Sequence, residues 1–270
     1  MFNFKSLSSA PKSDAPATFG ELFSQLDRKA THTSLRAVQA SALVALDKQS
    51  SERDVVIKLS TGSGKTVVGL VYAEMMRRRY KGDPVVYLCP TTQLVDQVLQ
   101  SGHAIGVPVA TFPAKGLPYE ALAGESVLVC TYDRVFNAKS TFETNSVRPS
   151  CIVLDDVHAG VERVRTCYTV KVPDACFEQF RAMLRPLCEG TDPATWRGIE
   201  SNAADSRYEV PYWVWANVHA QIAQLLDQHR EDHELLFRWG NISRYLELAR
   251  ACISGQSAEI SLPVAAVEEM

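Results

Sequence analysis

The chain has no excess of positive charge, no paired-cysteine motif and no apolar run of membrane-spanning length. Its 28 Lys and Arg stand against 31 Asp and Glu, a net charge of −3. A protein that held a polyanion chiefly by charge would be basic. Any nucleic-acid contact must therefore rest on backbone amides, hydroxyls and a few cations. The seven cysteines (Cys89, Cys130, Cys151, Cys167, Cys176, Cys188 and Cys252) contain no CxxC pair, and their number is odd. That argues against a disulfide framework and against the usual zinc spacings. Cys89, Cys130 and Cys151 lie in apolar runs, where cysteine behaves as a small hydrophobe. Cys167, Cys176 and Cys188 are spaced too widely for a zinc knuckle and lack a nearby fourth ligand for an iron–sulfur cluster. Free thiols fit a reducing, cytoplasmic setting. No stretch has the apolar core of a signal peptide or the length of a membrane span, so no membrane partner is expected. His219, His229 and His233 are scattered and read as surface residues.

What is present is a core-forming chain: 270 residues, 46% hydrophobic, enough for one large domain or a domain with an appendage. Residues 1–17, rich in Ser, Pro, Ala and Lys, read as a mobile arm. Thr18 and Glu21 have capping-box spacing and start a short helix with Leu22, Phe23 and Leu26 on its buried stripe. Phe19 and Phe23 read as core rather than as a base-stacking surface. A second helix spans about 34–47. Then strands and helices alternate: strand 54–59, helix 65–80, strand 84–89, helix 92–102, and strands 107–111, 126–131 and 150–155. Apolar strands in such alternation predict an α/β fold, a parallel sheet covered by helices on both faces. Arg77, Arg78, Arg79 and Lys81 close the first long helix, where cations complement the helix dipole.

Beyond residue 170 the strand alternation stops. Phe177, Phe180, Met183, Leu184 and Leu187 recur at helical spacing, as do Val214, Val218, Ile222, Leu225 and Leu226. A C-terminal helical appendage over 171–258 is expected, with a return segment at 259–270. Tyr212, Trp213 and Trp215 at a helix start suit core packing better than base stacking.

The chemistry concentrates in Thr61-Gly62-Ser63-Gly64-Lys65-Thr66, between an apolar strand and an apolar helix. A glycine-rich loop in that setting is a phosphate site. Gly62 and Gly64 allow turns that aim several N–H groups at one anion. Lys65 adds a charge for the outer phosphates, and the Thr66 hydroxyl suits Mg²⁺. About ninety residues on, an apolar strand ends in Asp155-Asp156-Val157-His158. Ligands of parallel sheets bind beyond the carboxyl ends of strands. Asp155 is the candidate Mg²⁺ partner and Asp156 the candidate base or water-positioning group.

These motifs resemble the first RecA-like domain of a superfamily 2 DExD/H-box helicase. The loop lacks the glycine usual five residues before Gly64, where Leu59 stands, and that form occurs in these helicases. Leu35-Arg36-Ala37-Val38-Gln39 resembles the element ahead of the loop, and implies that Gln39, with Arg36 beside it, reads adenine. Cys89 to Gln97 resembles motif Ia and Thr131 to Arg134 the Ib region, implying nucleic-acid contacts at Thr91, Thr92, Gln97 and Thr131. Asp155 to His158 matches the Walker B box, with Asp156 one methylene shorter than the usual Glu. The resemblance implies ATP and Mg²⁺ as cofactors, with Arg36, Gln39 and Thr61 to Thr66 binding nucleotide. It gives catalytic parts to Lys65, Asp155, Asp156 and His158. It covers about residues 30–160 and extends to a RecA-like domain at 18–170, with 171–258 as an insertion between motifs II and III.

Neither a Ser-Ala-Thr motif nor a second RecA-like domain follows. The expectation is the N-terminal part of an ATP-dependent helicase or translocase, nearly inactive alone. Its partners would be single-stranded DNA or RNA and a second RecA-like domain, on the same or another chain. The alternative is a nucleotide-dependent nucleic-acid binding or sensing module, as in bacterial antiviral defence, that does not unwind. A transporter-type ATPase would carry a further signature ahead of the Asp-Asp pair, and none is present.

Overall fold

The computed structural model describes residues 16–29, 34–137, 140–203, 205–229 and 233–263. Almost all of the expected N-terminal arm, residues 1–15, lies outside them, as do residues 264–270 of the return segment. The chain divides into two compact units. One takes the residues up to Arg134 together with Thr144–Gly160, and the other Val135–Glu143 with Val161 onward. The division falls inside a helix near residue 160, ahead of the expected boundary at 170.

The first unit begins with α1 (Phe19–Gln25), capped as its sequence predicts. Thr18 accepts from the Glu21 N–H while Glu21 reaches back to the Thr18 N–H. Phe19, Leu22 and Phe23 are buried, and the Phe19 ring stacks on Tyr72 at 5.6 Å. After α2 (Ala37–Lys48) and α3 (Lys65–Arg79) come β1 (Val85–Cys89), α4 (Thr92–Ile105), β2 (Val109–Ala110), α5 (Tyr119–Leu122), β3 (Val127–Thr131), α6 (Tyr132–Val135), α7 (Thr141–Thr144), β4 (Cys151–Leu154) and α8 (Val157–Cys167). The strands form a parallel sheet in the order β2-β3-β1-β4. All five residues of β1 are buried, as a central parallel strand requires. The fold is RecA-like α/β, a parallel sheet flanked by helices.

Residues 54–59 do not form the expected strand. A strand exists only by pairing. Val55 to Leu59 have no backbone partner among the described residues, and Val56 is 90% exposed. An apolar run carries β propensity but cannot supply its own neighbour. Among the described residues β4 pairs on one side only, with β1, and its Leu154 is accordingly exposed.

The arginines ending α3 do more than face the helix dipole. Arg77 and Arg78 both bond the fully buried Glu74 at 2.7 Å, and Arg77 also donates to the Gly124 carbonyl. A carboxylate in a core is tolerated when paired and hydrogen-bonded.

The second unit is not purely helical. It contains β5 (Thr169–Lys171), α9 (Asp174–Cys188), α10 (Pro193–Glu200), β6 (Arg207–Glu209), α11 (Tyr212–Asp227), α12 (His233–Ile242), β7 (Arg250–Ser254) and β8 (Ala258–Ser261). The four strands form an antiparallel sheet in the order β5-β8-β7-β6. The expected return segment pairs with β5 and β7 of this sheet, not with the parallel one. These strands are three to five residues long, with alternate residues such as Arg207, Glu209 and Glu259 facing outward, so they read as polar connections. Their inward residues, among them Val170, Tyr208, Ala251, Ile253 and Ile260, join Phe180, Trp196, Trp215 and Ile222 in one core.

The aromatic start of α11 splits. Trp215 is buried and donates to the Leu246 carbonyl at 2.7 Å, while Tyr212 and Trp213 are exposed and meet edge to face. His219 bonds carbonyls of its own helix through Nδ1, His229 just beyond α11 bonds the Leu225 carbonyl of that helix, and the His233 side chain lies outside those described. Among the described residues no helix is long and apolar enough to cross a membrane.

Candidate nucleotide site

The glycine-rich loop turns as its composition predicts. Gly62 has φ 76° and Gly64 φ 83°, both left-handed. Gly64 caps α3 without any side-chain bond, and Lys65 is the first helical residue. Ser63 is held by the Ser60 carbonyl through its N–H and its hydroxyl. The N–H groups of Gly62, Gly64, Lys65 and Thr66 find no acceptor among the described residues. Four free donors at a helix N-terminus form an anion cradle.

Two residues ahead of the loop brace it. Arg36 donates to the Gly62 carbonyl at 2.9 Å. Gln39 is buried, accepts from the Arg36 N–H at 2.9 Å and donates to the Gly64 carbonyl at 3.3 Å. Both ends of the Gln39 amide are therefore engaged by backbone. The cause is local: Arg36 caps α2 in an extended conformation, so Gln39 at the third helical position reaches back to it.

The carboxylates stand at the end of β4. Cys89 of β1 lies level with Thr131 of β3, and Leu88 with Leu154 of β4. Thr91 and Thr92, Thr131, and Asp155 and Asp156 thus leave the sheet along one edge. Asp155 is half-buried, and its N–H donates to the Leu88 carbonyl at 2.9 Å. Burial lifts its pKa above the ordinary carboxylate value, and the charge of Asp156 adds to the rise. Lys65, the Asp156 N–H and the Tyr87 hydroxyl pull it down. The influence of Lys65 ties the loop and the carboxylate into one electrostatic site. Asp156 is exposed with φ 48°, and His158 is exposed on the first turn of α8.

The expected nucleic-acid residues are less uniform. Thr91 is the N-cap of α4 and accepts from the Leu94 N–H at 3.3 Å. Thr92 and Gln97 are exposed on α4, and Thr131 is half-buried at the end of β3. Sequence reasoning passed over Tyr87 and Tyr132, whose hydroxyls turn toward Asp155. The available signal was a tyrosine in the middle of one apolar strand and another directly after the next, where valine or leucine would pack as well.

An anion cradle facing a carboxylate at the C-terminal edge of a parallel sheet defines a P-loop nucleotide-binding domain. The model of the DEAD/DEAH box helicase family matches residues 36–171, half of the chain, and the chain belongs to that family. The chain is also similar to the Fanconi anemia group M protein of Gallus gallus, 25% identical over 164 residues. That match covers 58% of this chain and 8% of the relative.

Proposed function

We propose that this chain is the ATP-binding part of an ATP-dependent helicase or translocase. The observation that supports this most directly is the joint site: four unpaired amides and Lys65 on one side, Asp155 on the other. The amides and Lys65 bind and orient the triphosphate. The donors suited to Mg²⁺ are Asp155 and the Thr66 hydroxyl, hard oxygens. Among the described residues no group of three or more His, Cys, Asp or Glu side chains converges as a metal cage. Two protein oxygens plus substrate phosphates is the way Mg²⁺ is commonly held. That cation would neutralise charge developing on the phosphoryl oxygens. Asp156 positions or deprotonates the attacking water. His158, exposed in the first turn of α8, stands beside it. Thr92, Gln97 and Thr131 contact the backbone of a single nucleic-acid strand, and a second RecA-like domain completes the ATP site. ATP titration of wild type and Lys65→Ala tests the reading. A charge-assisted contact is worth ~1.5–3 kcal/mol, so affinity should fall about ten- to a hundredfold. Equal affinities would reject the site.

A further inference from the structure

The Asp155–Asp156 turn is held in an unfavourable shape. Asp156 has φ 48°, a left-handed conformation that few residues with a Cβ adopt, Asp among them. Something must hold it there. The Asp156 carbonyl accepts from the Gly160 N–H at 2.8 Å, which accounts for one side. On the other, the Tyr132 hydroxyl donates to the Asp155 carbonyl at 3.0 Å. Tyr132 leaves the end of β3, two places from β4 in the sheet, so its side chain passes beyond the end of β1 to arrive. Its ring fits because residue 160 is glycine; a Cβ there would collide with Cζ and the hydroxyl oxygen.

A second tyrosine repeats the device from another direction. Tyr87 of β1 is buried and lies level with Val153 of β4, two residues ahead of Asp155, and its hydroxyl pulls the pKa of the Asp155 carboxyl down. Its ring lies over Gly69 of α3, where a Cβ would come within 2.9 Å of Cε2 and 3.0 Å of the hydroxyl oxygen. Gly69 stands one turn beyond Lys65. Both helices that flank the site are thus pared to glycine where a tyrosine hydroxyl approaches Asp155. Phenylalanine would fill the same space without a hydroxyl to desolvate, so packing alone does not account for either residue.

We propose that Tyr132 and Tyr87 are positioning residues of the nucleotide site, fixing the backbone and the carboxylate of Asp155 so that it presents its oxygens to the cation of a bound Mg²⁺–nucleotide. The proposal rests on the reading of Asp155 given above. Neither tyrosine touches substrate; both act through Asp155. Loss of the Tyr132 hydroxyl loosens the backbone that carries the carboxylate, loss of the Tyr87 hydroxyl loosens the carboxylate itself, and a cation ligand that must first be ordered binds more weakly.

The test is ATP binding by calorimetry across a Mg²⁺ titration, for wild type, Tyr132→Phe, Tyr87→Phe, Lys65→Ala and a Tyr119→Phe control from exposed α5. Thermal melts establish that each variant folds. The Mg²⁺ concentration for half-maximal ATP binding should rise about fivefold or more in each of the two tyrosine variants, and stay at the wild-type value in Tyr119→Phe. A folded Tyr132→Phe and Tyr87→Phe with the wild-type Mg²⁺ midpoint would overturn the proposal while leaving the nucleotide site standing. Wild type that binds ATP without regard to Mg²⁺ would remove the cation role of Asp155 and this proposal with it, whereas Lys65→Ala that binds as wild type does would remove the nucleotide reading itself.

Discussion

Gln39 and Gly64, 25 residues apart, are joined by a 3.3 Å hydrogen bond from the side-chain amide to the loop carbonyl. A Cβ on residue 64 would collide with the donating nitrogen. The amide oxygen is taken as well, by the Arg36 N–H. This makes Gln39 a strut of the phosphate loop before it is anything else. Gln39→Ala should therefore weaken ATP and GTP alike, by about 0.5–1.5 kcal/mol, the worth of one ordinary hydrogen bond. Competition between the two nucleotides before and after the substitution checks it. A loss confined to ATP would restore the base-reading role that the sequence suggests.

Glu74 supplies a second expectation. Its carboxylate is fully buried and both its oxygens are held by arginine nitrogens, Arg77 three residues on and Arg78 four. Breaking a buried pair from one side typically costs ~3–5 kcal/mol. Here the arginines are partly exposed and can rehydrate, so Glu74→Ala should lie at the lower end, about 3 kcal/mol. Arg78→Ala should cost less, because Arg77 still covers the carboxylate. Denaturant unfolding of the three proteins decides. A Glu74→Ala protein as stable as wild type would show the cluster to be superficial.

These residues mark where the sequence is legible. The phosphate loop and the Asp-Asp pair were readable because each is a short run of neighbours whose chemistry needs no fold to assemble it. The brace from Arg36 and Gln39 was not, because its geometry depends on how α2 meets a loop 25 residues later. Residues 54–59 looked like a strand because apolar β-branched runs carry that propensity, yet no partner strand stands beside them. β5 to β8 went unseen for the opposite reason: strands of three to five residues with outward charges resemble loops. Tyr132 lay inside a recognised motif, but the hydroxyl's partner, 23 residues away, appears only once β3 and β4 are in one sheet.

The sheet thiols give a pH dependence. Burial pushes Cys89, Cys130 and Cys151 each up to about 12. In the unfolded chain a thiol ionises near its ordinary value of about 8.5. The folded protein holds these protons more tightly, so their contribution is intact below that value. It is lost as pH rises from there toward 12. The urea midpoint should fall between pH 8 and pH 10.5, and fall less in Cys130→Ala than in wild type. A thiol reagent at pH 8 should leave all three unmodified until the protein unfolds. Identical alkaline slopes for wild type and Cys130→Ala would count against the assignment.

The remaining prediction concerns turnover. If the proposed function holds, residues 1–270 bind ATP on one face only. Among the described residues there is a single phosphate loop and a single parallel sheet, and the second unit is built on an antiparallel one. In P-loop enzymes an arginine delivered from a neighbouring domain is worth ~10³–10⁵ in rate. Without that arginine the carboxylates and Lys65 still orient the phosphates, so turnover should be measurable but slow. Single-stranded nucleic acid should add little, because it stimulates by drawing two domains together around the nucleotide. Steady-state hydrolysis by this chain, with and without an oligonucleotide, is compared with a longer chain that carries a second RecA-like domain. The longer chain should be faster by several orders of magnitude and respond to the strand. Fast, strand-stimulated hydrolysis by the 270-residue chain, at concentrations where it is monomeric, would mean that its own residues complete the site, and the case for a missing second domain would fall.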